Sequence, residues 1–213
     1  MASKVWGHHT LDSADEARER IVDAAERAIK RWGLARTRID DIADEARCGR
    51  STIYRYFGNR ENVVVQVLLR RGRSFGDALL GHVHDIADPS DKIVEGVVQA
   101  LRQIRDDELL SSIFAAEMLP SAARLAEAAE PLFALAAQVW VQVLQADRRL
   151  AATLRPEVGP ERAAEWILRV MLSYLAVPRR SKNDSRALRR DLRLLLLPAL
   201  VGTERATLPE EER

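Results

Sequence analysis

The sequence predicts an all-α protein of about nine helices, with a three-helix head that contains a helix-turn-helix and a larger helical region after it. Apolar residues recur at helical spacing along most of the chain, as at Ile21, Ala25 and Ile29. Strict alternation of apolar and polar residues, which indicates half-buried strands, is almost absent. Glycine and proline residues divide the periodic stretches into segments of helical length.

The bounds of the helices follow from the residues that interrupt the periodic stretches. Gly33 stands where a C′ glycine belongs, and Asn59 can cap the next helix. Pro131 should interrupt the chain before a helix that starts at Leu132, and Pro198 should limit or kink the last helix. The predicted helices span residues 15–32, 39–46, 50–57, 60–87, 91–105, 108–118, 132–153, 161–177 and 184–200.

Composition excludes several classes of protein. Of the 213 residues, 47% are apolar and 31% charged, as in ordinary globular proteins. The single cysteine, Cys48, cannot form an internal disulfide, and residues 1–12 contain no apolar segment of a signal peptide. The longest apolar runs are far too short to span a bilayer. We therefore expect a cytoplasmic protein that does not engage a membrane.

Charge is unevenly distributed, although the formal net charge is only +1. Residues 30–38 and 47–60 contain basic side chains and no acidic ones, whereas acidic residues gather in 12–26 and 40–45. Segregation of this kind can create a positive surface that attracts a polyanion. A solvated charged face without a partner is the alternative interpretation.

Residues 39–57 have the pattern of a helix, a tight turn near Gly49 and a second helix. The second helix is too short to be stable by itself and must therefore be packed. The first helix of the chain offers Ile21, Ala25 and Trp32 as the surface on which the motif can pack. The expected result is a three-helix head of the kind that inserts one helix into the major groove of DNA.

The outward side chains of the second helix suit contacts with bases and phosphates. Arg50 can pair with guanine, and the hydroxyl groups of Ser51 and Thr52 can bind base edges or phosphates. Tyr54 and Tyr56 suit phosphate contacts, with simple packing as the alternative. The candidate DNA-binding residues are Arg36, Thr37, Arg38, Arg47, Arg50, Ser51, Thr52, Tyr54, Arg55, Tyr56 and Arg60.

The motif resembles the signature of the TetR family of bacterial regulators. The resemblance covers roughly residues 17–67 and is carried by Asp41-Ile42-Ala43, Ala46, Thr52-Ile53-Tyr54-Arg55-Tyr56-Phe57, Arg60 and Glu61. It implies a transcriptional regulator without enzymatic activity or cofactor, most often a repressor. It further implies that a homodimer binds a near-palindromic double-stranded DNA operator and leaves it when a small molecule binds.

Four positions depart from the family pattern. Arg47 replaces the usual turn glycine and is expected to need an unusual backbone angle. Gly49 replaces a serine at the N-cap and supplies no capping oxygen. Ser51 adds a hydroxyl where glycine is frequent, and Arg38 takes a place often held by threonine, so that Thr37 comes one residue early. The operator sequence therefore cannot be transferred by analogy.

The resemblance also implies a domain organisation. Residues 1–16 form an N-terminal arm, 17–77 the DNA-binding domain and 78–213 a domain for ligand binding and dimerisation. The long helix that begins at Arg60 should couple the two domains.

The last two helices are the predicted dimer interface. The final helix is apolar on more than one face, and a second copy of the chain could cover the face that its own domain leaves open. A buried central helix in a monomer is the alternative. The candidate interface residues are Ala164, Ile167, Leu168, Met171, Leu175, Leu188, Leu192, Leu195, Leu196 and Ala199.

The ligand site is the least defined part of the prediction, because apolar residues at helical spacing usually form ordinary core. Gln138 and Gln142 beside Trp140 favour a pocket, since buried amides need partners. The scarcity of aromatic residues favours a hydrophobic ligand. The candidate ligand-binding residues are Leu79, Gln99, Arg102, Phe114, Met118, Phe133, Gln138, Trp140, Leu144 and Met171.

Other functions remain as alternatives at the level of sequence. An all-helical enzyme with a DNA-binding appendage would need a catalytic constellation, and the sequence offers no phosphate loop or nucleophile motif. The histidines His8, His9, His82 and His84 lack metal-ligand spacing, so no metal is expected. A ligand-independent DNA-binding protein and an activator stay open.

Overall fold

The computed structural model describes residues 14–113, 122–176 and 185–202, with side chains described except for residues 113 and 122–129. Within these ranges the chain is helical, apart from connections and an isolated bridge between Leu154 and Val201. The all-α prediction is therefore confirmed. The helices are α1 (Ala14–Trp32), α2 (Ile39–Ala46), α3 (Arg50–Phe57), α4 (Arg60–His84), α5 (Pro89–Asp106), α6 (Glu108–Ile113), α7 (Ala122–Gln145), α8 (Arg148–Thr153), α9 (Gly159–Ala176), α10 (Ser185–Asp191) and α11 (Leu197–Leu200).

The predicted caps of the first helices are confirmed. Gly33 has a φ of +79°, and its N–H donates to the carbonyl of Ile29 at 2.7 Å, which closes the last turn of α1. The side-chain oxygen of Asn59 accepts from the N–H of Asn62 at 2.7 Å and so caps α4. These bonds involve residues at most four positions apart, which is why the sequence predicts them.

The first compact unit comprises the described residues of 1–77 and 102–136. Its core joins α1, α2, α3 and α4 through buried aliphatic side chains such as Ile21, Ile42 and Leu68. Leu109 and Leu110 of α6 pack against this core and are partly buried. The described residues of 102–136 are thus grouped with the head, whereas the expected domain division places them in the second region.

The second compact unit comprises 78–101 and the described residues of 137–213. Its core contains the fully buried Leu101, Leu144 and Ile167. The charged Lys92 is also buried. Its ammonium group lies 3.2 Å from a carboxylate oxygen of Asp147, and this ion pair compensates the burial of the charge. None of the helices described for this chain combines the length and apolar character needed to cross a membrane.

Two predicted boundaries in the middle of the chain are wrong. Helix α7 begins at Ala122 and continues through Pro131, instead of starting at Leu132. The predicted helix 132–153 is divided, because Asp147 caps the separate helix α8 by accepting from the N–H of Arg149 at 2.8 Å. The predicted end of α6 at Met118 lies outside the described residues.

A π-helical turn, Leu192–Leu196, connects α10 with α11. The N–H of Leu197 donates to the carbonyl of Leu192, five residues earlier, immediately before Pro198. Proline has no N–H and its ring collides with the carbonyl four residues back, so the helix widens where an α-helical bond cannot form. The sequence predicts that Pro198 limits or kinks the last helix, and the structure has a wide π turn immediately before it.

Candidate nucleic-acid interface

The helix-turn-helix packs on α1 largely as the sequence predicts. Ile21 and Ala25 of α1 are completely buried, as is Ile53 of α3. Trp32 does not take part, since 53% of its surface is exposed. The buried stripe of α1 ends at Ile29, and Leu34 enters the core from beyond the Gly33 turn instead.

An ion pair fixes α2 against α1. The Nε of Arg27 donates to a carboxylate oxygen of Glu45 at 2.7 Å. This hydrogen bond holds the pKa of Glu45 below its ordinary value. The orientation of α2, and with it that of the following turn, is thus defined by polar contacts as well as by apolar packing.

The turn between α2 and α3 has the backbone that the departures from the family pattern predict. Arg47 adopts the left-handed conformation with a φ of +53°, and its N–H donates to the carbonyl of Asp44 at 3.1 Å. Gly49 occupies the N-cap of α3 and makes no side-chain hydrogen bond there. Both expectations are confirmed. Burial raises the pKa of the Cys48 thiol in this turn, which keeps it protonated.

Helix α3 presents polar side chains on the side opposite its buried residues Ile53 and Phe57. Arg50, Ser51 and Arg55 are exposed, and 51% of the surface of Tyr54 is accessible. Packing therefore does not account for Tyr54. Thr52 is half-buried and stands at the border of the exposed face.

Tyr56 is half-buried and packs against the core of the head. The guanidinium carbons of Arg18 and Arg55 lie 5.8 Å and 5.0 Å from the centre of its ring. These cation–π contacts hold the ring between α1 and α3. Arg18 was not among the sequence candidates, because a contact between residues 18 and 56 has no signature in local sequence.

The loop between α1 and α2 contributes two of its three candidates to the exposed surface. Arg36 and Arg38 are exposed, whereas Thr37 is only 2% accessible. The hydroxyl of Thr37 donates to the carbonyl of Gly33 at 2.8 Å. The prediction that Thr37 binds DNA is therefore wrong for this conformation, since its hydroxyl is buried and already used inside the loop.

Arg60 has a structural role that the sequence interpretation missed. Its Nε donates to the carbonyl of Thr37 at 2.7 Å, and its Nη2 donates to the carbonyl of Leu34. The side chain joins the start of α4 to the loop that carries Arg36 and Arg38. The expected phosphate contact of Arg60 is replaced by a contact that holds this loop.

We expect Arg60→Ala to lower the free energy of unfolding by about 1–3 kcal/mol, because two carbonyl groups lose their donor in a partly buried place. Thermal unfolding of the full chain measures this. Arg36→Ala is the matched control, since Arg36 is exposed and should change stability by less than about 0.5 kcal/mol. Equal stabilities of the two variants would contradict the role assigned to Arg60.

The residues predicted to line a ligand pocket differ in burial, since some are buried and others are exposed. Leu79, Trp140, Leu144 and Met171 are buried, and the first and third are completely inaccessible. A Cβ placed on Gly96 would lie 3.1 Å from the Trp140 ring, so the ring packs directly on the backbone of α5. Trp140 therefore packs against α5, and the role of Leu79, Leu144 and Met171 in a ligand pocket stays a prediction.

Other pocket candidates face water. Gln138 and Gln142 are both exposed, so neither is a buried amide beside Trp140. Phe133 is 48% exposed, and the exposed Arg102 pairs with Asp106 at 3.5 Å. Only Gln99 is half-buried, and Phe114 and Met118 lie outside the described residues. The pocket prediction is therefore wrong for Gln138, Phe133 and Arg102, because helical spacing does not reveal which face of α5 or α7 is covered.

Gln103, which was not among the candidates, has an unusual environment. Its side-chain oxygen is buried and has no hydrogen-bond partner in the described part of the chain. A buried amide oxygen without a donor is costly, and ordered water or a ligand commonly supplies the missing bond.

The predicted dimer residues divide between the interior and the surface. Six of the ten candidate residues are buried in the core of the subunit itself, and Leu168 and Leu175 are half-buried. Because a side chain covered by its own subunit cannot contact another, the interface prediction is wrong for the fully covered group. That group consists of Ala164, Ile167, Met171, Leu188, Leu192 and Leu196.

The π turn separates the leucines of the last helix. A wide turn rotates less per residue, so Leu192 and Leu196 stay on the covered side while Leu195 turns outward. Leu194 and Leu195 are 61% and 75% exposed, Ala199 is exposed, and Trp166 of α9 is 46% exposed. We call Trp166, Leu194, Leu195 and Ala199 the exposed apolar face. Trp166 was missed because it lies off the main apolar stripe of α9.

Comparison with known proteins agrees with the architecture. The family described as "Bacterial regulatory proteins, tetR family" matches residues 21–67, which include α2 and α3. A relative described as the uncharacterized HTH-type transcriptional regulator Rv1255c, from Mycobacterium tuberculosis, is 29% identical over 92% of this chain and 93% of its own.

Solved structures share the fold at low sequence identity. The transcriptional repressor FadR from Thermus thermophilus, in complex with lauroyl-CoA, has a TM-score of 0.66 and 23% identity over 91% of this chain and 100% of its own. The repressor QsdR from R. erythropolis also has a TM-score of 0.66, with 19% identity over 90% of this chain and 99% of its own. The family match to the head, the relative of nearly equal length and the shared all-α fold agree: residues 21–67 carry the domain of the TetR family of bacterial regulatory proteins, and the chain as a whole is similar to HTH-type transcriptional regulators.

Proposed function

We propose that this regulator is a repressor that binds a near-palindromic operator as a homodimer and leaves it when a small hydrophobic ligand binds. The observation that carries the DNA-binding part is the exposed face of α3. A buried apolar side fixes the helix, while Ser51, Tyr54 and Arg55 project from its other faces and Arg50 is exposed at its first turn. In this proposal α3 lies in the major groove, and Arg36 and Arg38 bind the adjacent phosphates.

The exposed apolar face supports the homodimer. Two leucines, a tryptophan and an alanine on the last helices are exposed in the described part of the chain. Exposed large apolar residues that gather on one surface mark interaction sites, and in this proposal these four side chains share such a surface. Two copies related by a two-fold axis would cover each other's face and place two heads on one DNA duplex.

A two-fold dimer explains the expected operator symmetry. Each head reads one half-site, so the half-sites must be inverted copies whose centres lie about 34–36 Å apart or slightly more. A ligand with higher affinity for a different spacing of the heads would lower the affinity for the operator. The continuous helix α4, which begins in the head at Arg60 and ends at His84, is the proposed lever.

The ligand part of the proposal is supported by the buried oxygen of Gln103, which lacks a donor within the described residues. A ligand with a hydroxyl or amide N–H could supply it. The lauroyl-CoA in the FadR complex shows that this fold can accommodate a hydrophobic ligand in that protein. Lauroyl-CoA is therefore the first probe to use.

Selection from random DNA duplexes tests the proposal. We expect inverted repeats to be recovered and affinity to fall by about 10³–10⁵ between 50 and 200 mM salt, if about 6–10 phosphate contacts form. Lauroyl-CoA should then release the operator, and Gln103→Leu should weaken that release without loss of stability. Asymmetric sites with little salt dependence would overturn the DNA part. Operator binding that no hydrophobic compound alters would overturn the ligand part.

A further inference from the structure

Arg50, the first residue of α3, forms an ion pair with another residue of the same motif. Its Nε forms an ion pair with Asp40, which lies in the first turn of α2. The side chains are 66% and 48% exposed, so both also face solvent. The pair joins the two helices of the motif at the surface that the proposed function assigns to DNA.

This geometry uses only part of the arginine fork. A guanidinium group has five N–H donors, and one carboxylate at the Nε side can engage at most two of them. At least three donors remain for a base edge, and recognition of guanine O6 and N7 requires two. Asp40 can therefore stay bound while Arg50 reads a base.

An arginine held by a carboxylate behaves differently from a free one. A free arginine on a long flexible side chain can turn toward any phosphate, which raises affinity for all DNA sequences alike. A carboxylate that fixes the fork restricts these orientations and disfavours the non-specific contact. Discrimination between sequences increases as a result, because specificity is a difference of affinities.

Resting on the proposed function, we propose that Asp40 is a positioning residue that sets sequence specificity by holding Arg50 for base recognition. Asp40 itself contacts no DNA in this proposal. Its neighbour Asp41 has another task, since its carboxylate accepts the N–H of Arg38 at 2.7 Å and caps α2. The two adjacent carboxylates thus serve separate purposes.

The test compares Asp40→Asn with Asp44→Asn in the full-length regulator. Both variants remove one negative charge from α2, and Asp44 is exposed and has no ion pair among the described residues. Affinities are measured for the selected operator and for an unrelated duplex over a range of salt concentrations. Thermal unfolding of each variant shows that the fold is retained.

We expect Asp40→Asn to lower the ratio of operator to non-operator affinity by about tenfold. This factor corresponds to part of the discrimination that one bidentate base contact supplies. The salt dependence on non-operator DNA should steepen by about one counterion, because the released Arg50 reaches a phosphate. Asp44→Asn should raise both affinities alike and leave the ratio unchanged. In an Arg50→Ala background, Asp40→Asn should not change the ratio further.

The outcomes separate the inference from the function on which it rests. If Asp40→Asn and Asp44→Asn have the same ratio and salt dependence while Arg50→Ala loses discrimination, the inference is wrong and the proposed function stands. If Arg50→Ala also leaves discrimination unchanged, the base-reading role of Arg50 is wrong as well. Absence of any operator would remove the proposed function itself.

Discussion

Leu195→Asp is expected to convert the regulator to a folded monomer that no longer holds its operator. Leu195 is 75% exposed in the subunit, so the new carboxylate is hydrated in the monomer. In the proposed dimer each subunit would bury one such carboxylate in the apolar interface, so that two charges would be buried. A cost of at least about 3 kcal/mol should weaken dimerisation by about 100-fold or more.

Sedimentation at several protein concentrations measures the dimer, and circular dichroism measures the helix content. Phe133→Asp is the matched control, because it adds the same charge at a 48%-exposed apolar residue of α7, outside the exposed apolar face. It should remain dimeric.

Leu192→Asp should instead unfold the subunit, since Leu192 is 1% exposed and belongs to the core of the subunit. A dimer of unchanged affinity in Leu195→Asp would show that the interface lies elsewhere.

Trp140→Ala is expected to cost about 3–5 kcal/mol of unfolding free energy, because it leaves a large cavity in a close-packed core. Trp140 is 2% exposed and its ring lies against Gly96. Gly96→Ala should also destabilise, by about 1–3 kcal/mol, since the added methyl group would meet the ring at 3.1 Å. Denaturant unfolding measures both changes.

Gln138→Ala and Gln142→Ala are the matched controls on the same helix. Both side chains are exposed, so each change should stay within about 0.5 kcal/mol. If Trp140→Ala kept full stability and abolished only the response to lauroyl-CoA, then Trp140 would line a ligand site rather than core. The two substitutions of glutamine should leave ligand release unchanged in either case.

Much of the head could be predicted because its determinants are local or strongly patterned. The bounds of α2 and α3 agree with the predicted bounds, and the left-handed Arg47 follows from the place of a turn glycine. The exposed face of α3 follows from the burial of Ile53 and Phe57 at helical spacing. The contacts between separate segments could not be predicted in this way. Arg60 at the loop carbonyls and Asp40 at Arg50 depend on how the helices are oriented.

The sequence by itself determined the helical class and the helix-turn-helix, because periodicity, caps and turn residues act within a few positions of the chain. The resemblance to the TetR family came from the signature residues of that motif. Only the tertiary structure decided which apolar faces are covered. Periodicity shows that a helix has an apolar stripe, but not whether its own subunit covers that stripe. In the last helix the π turn before Pro198 changes the rotation per residue, so Leu192 is buried while Leu195 is exposed. The covered face stabilises the subunit, and the uncovered one is the face that the proposed dimer would use.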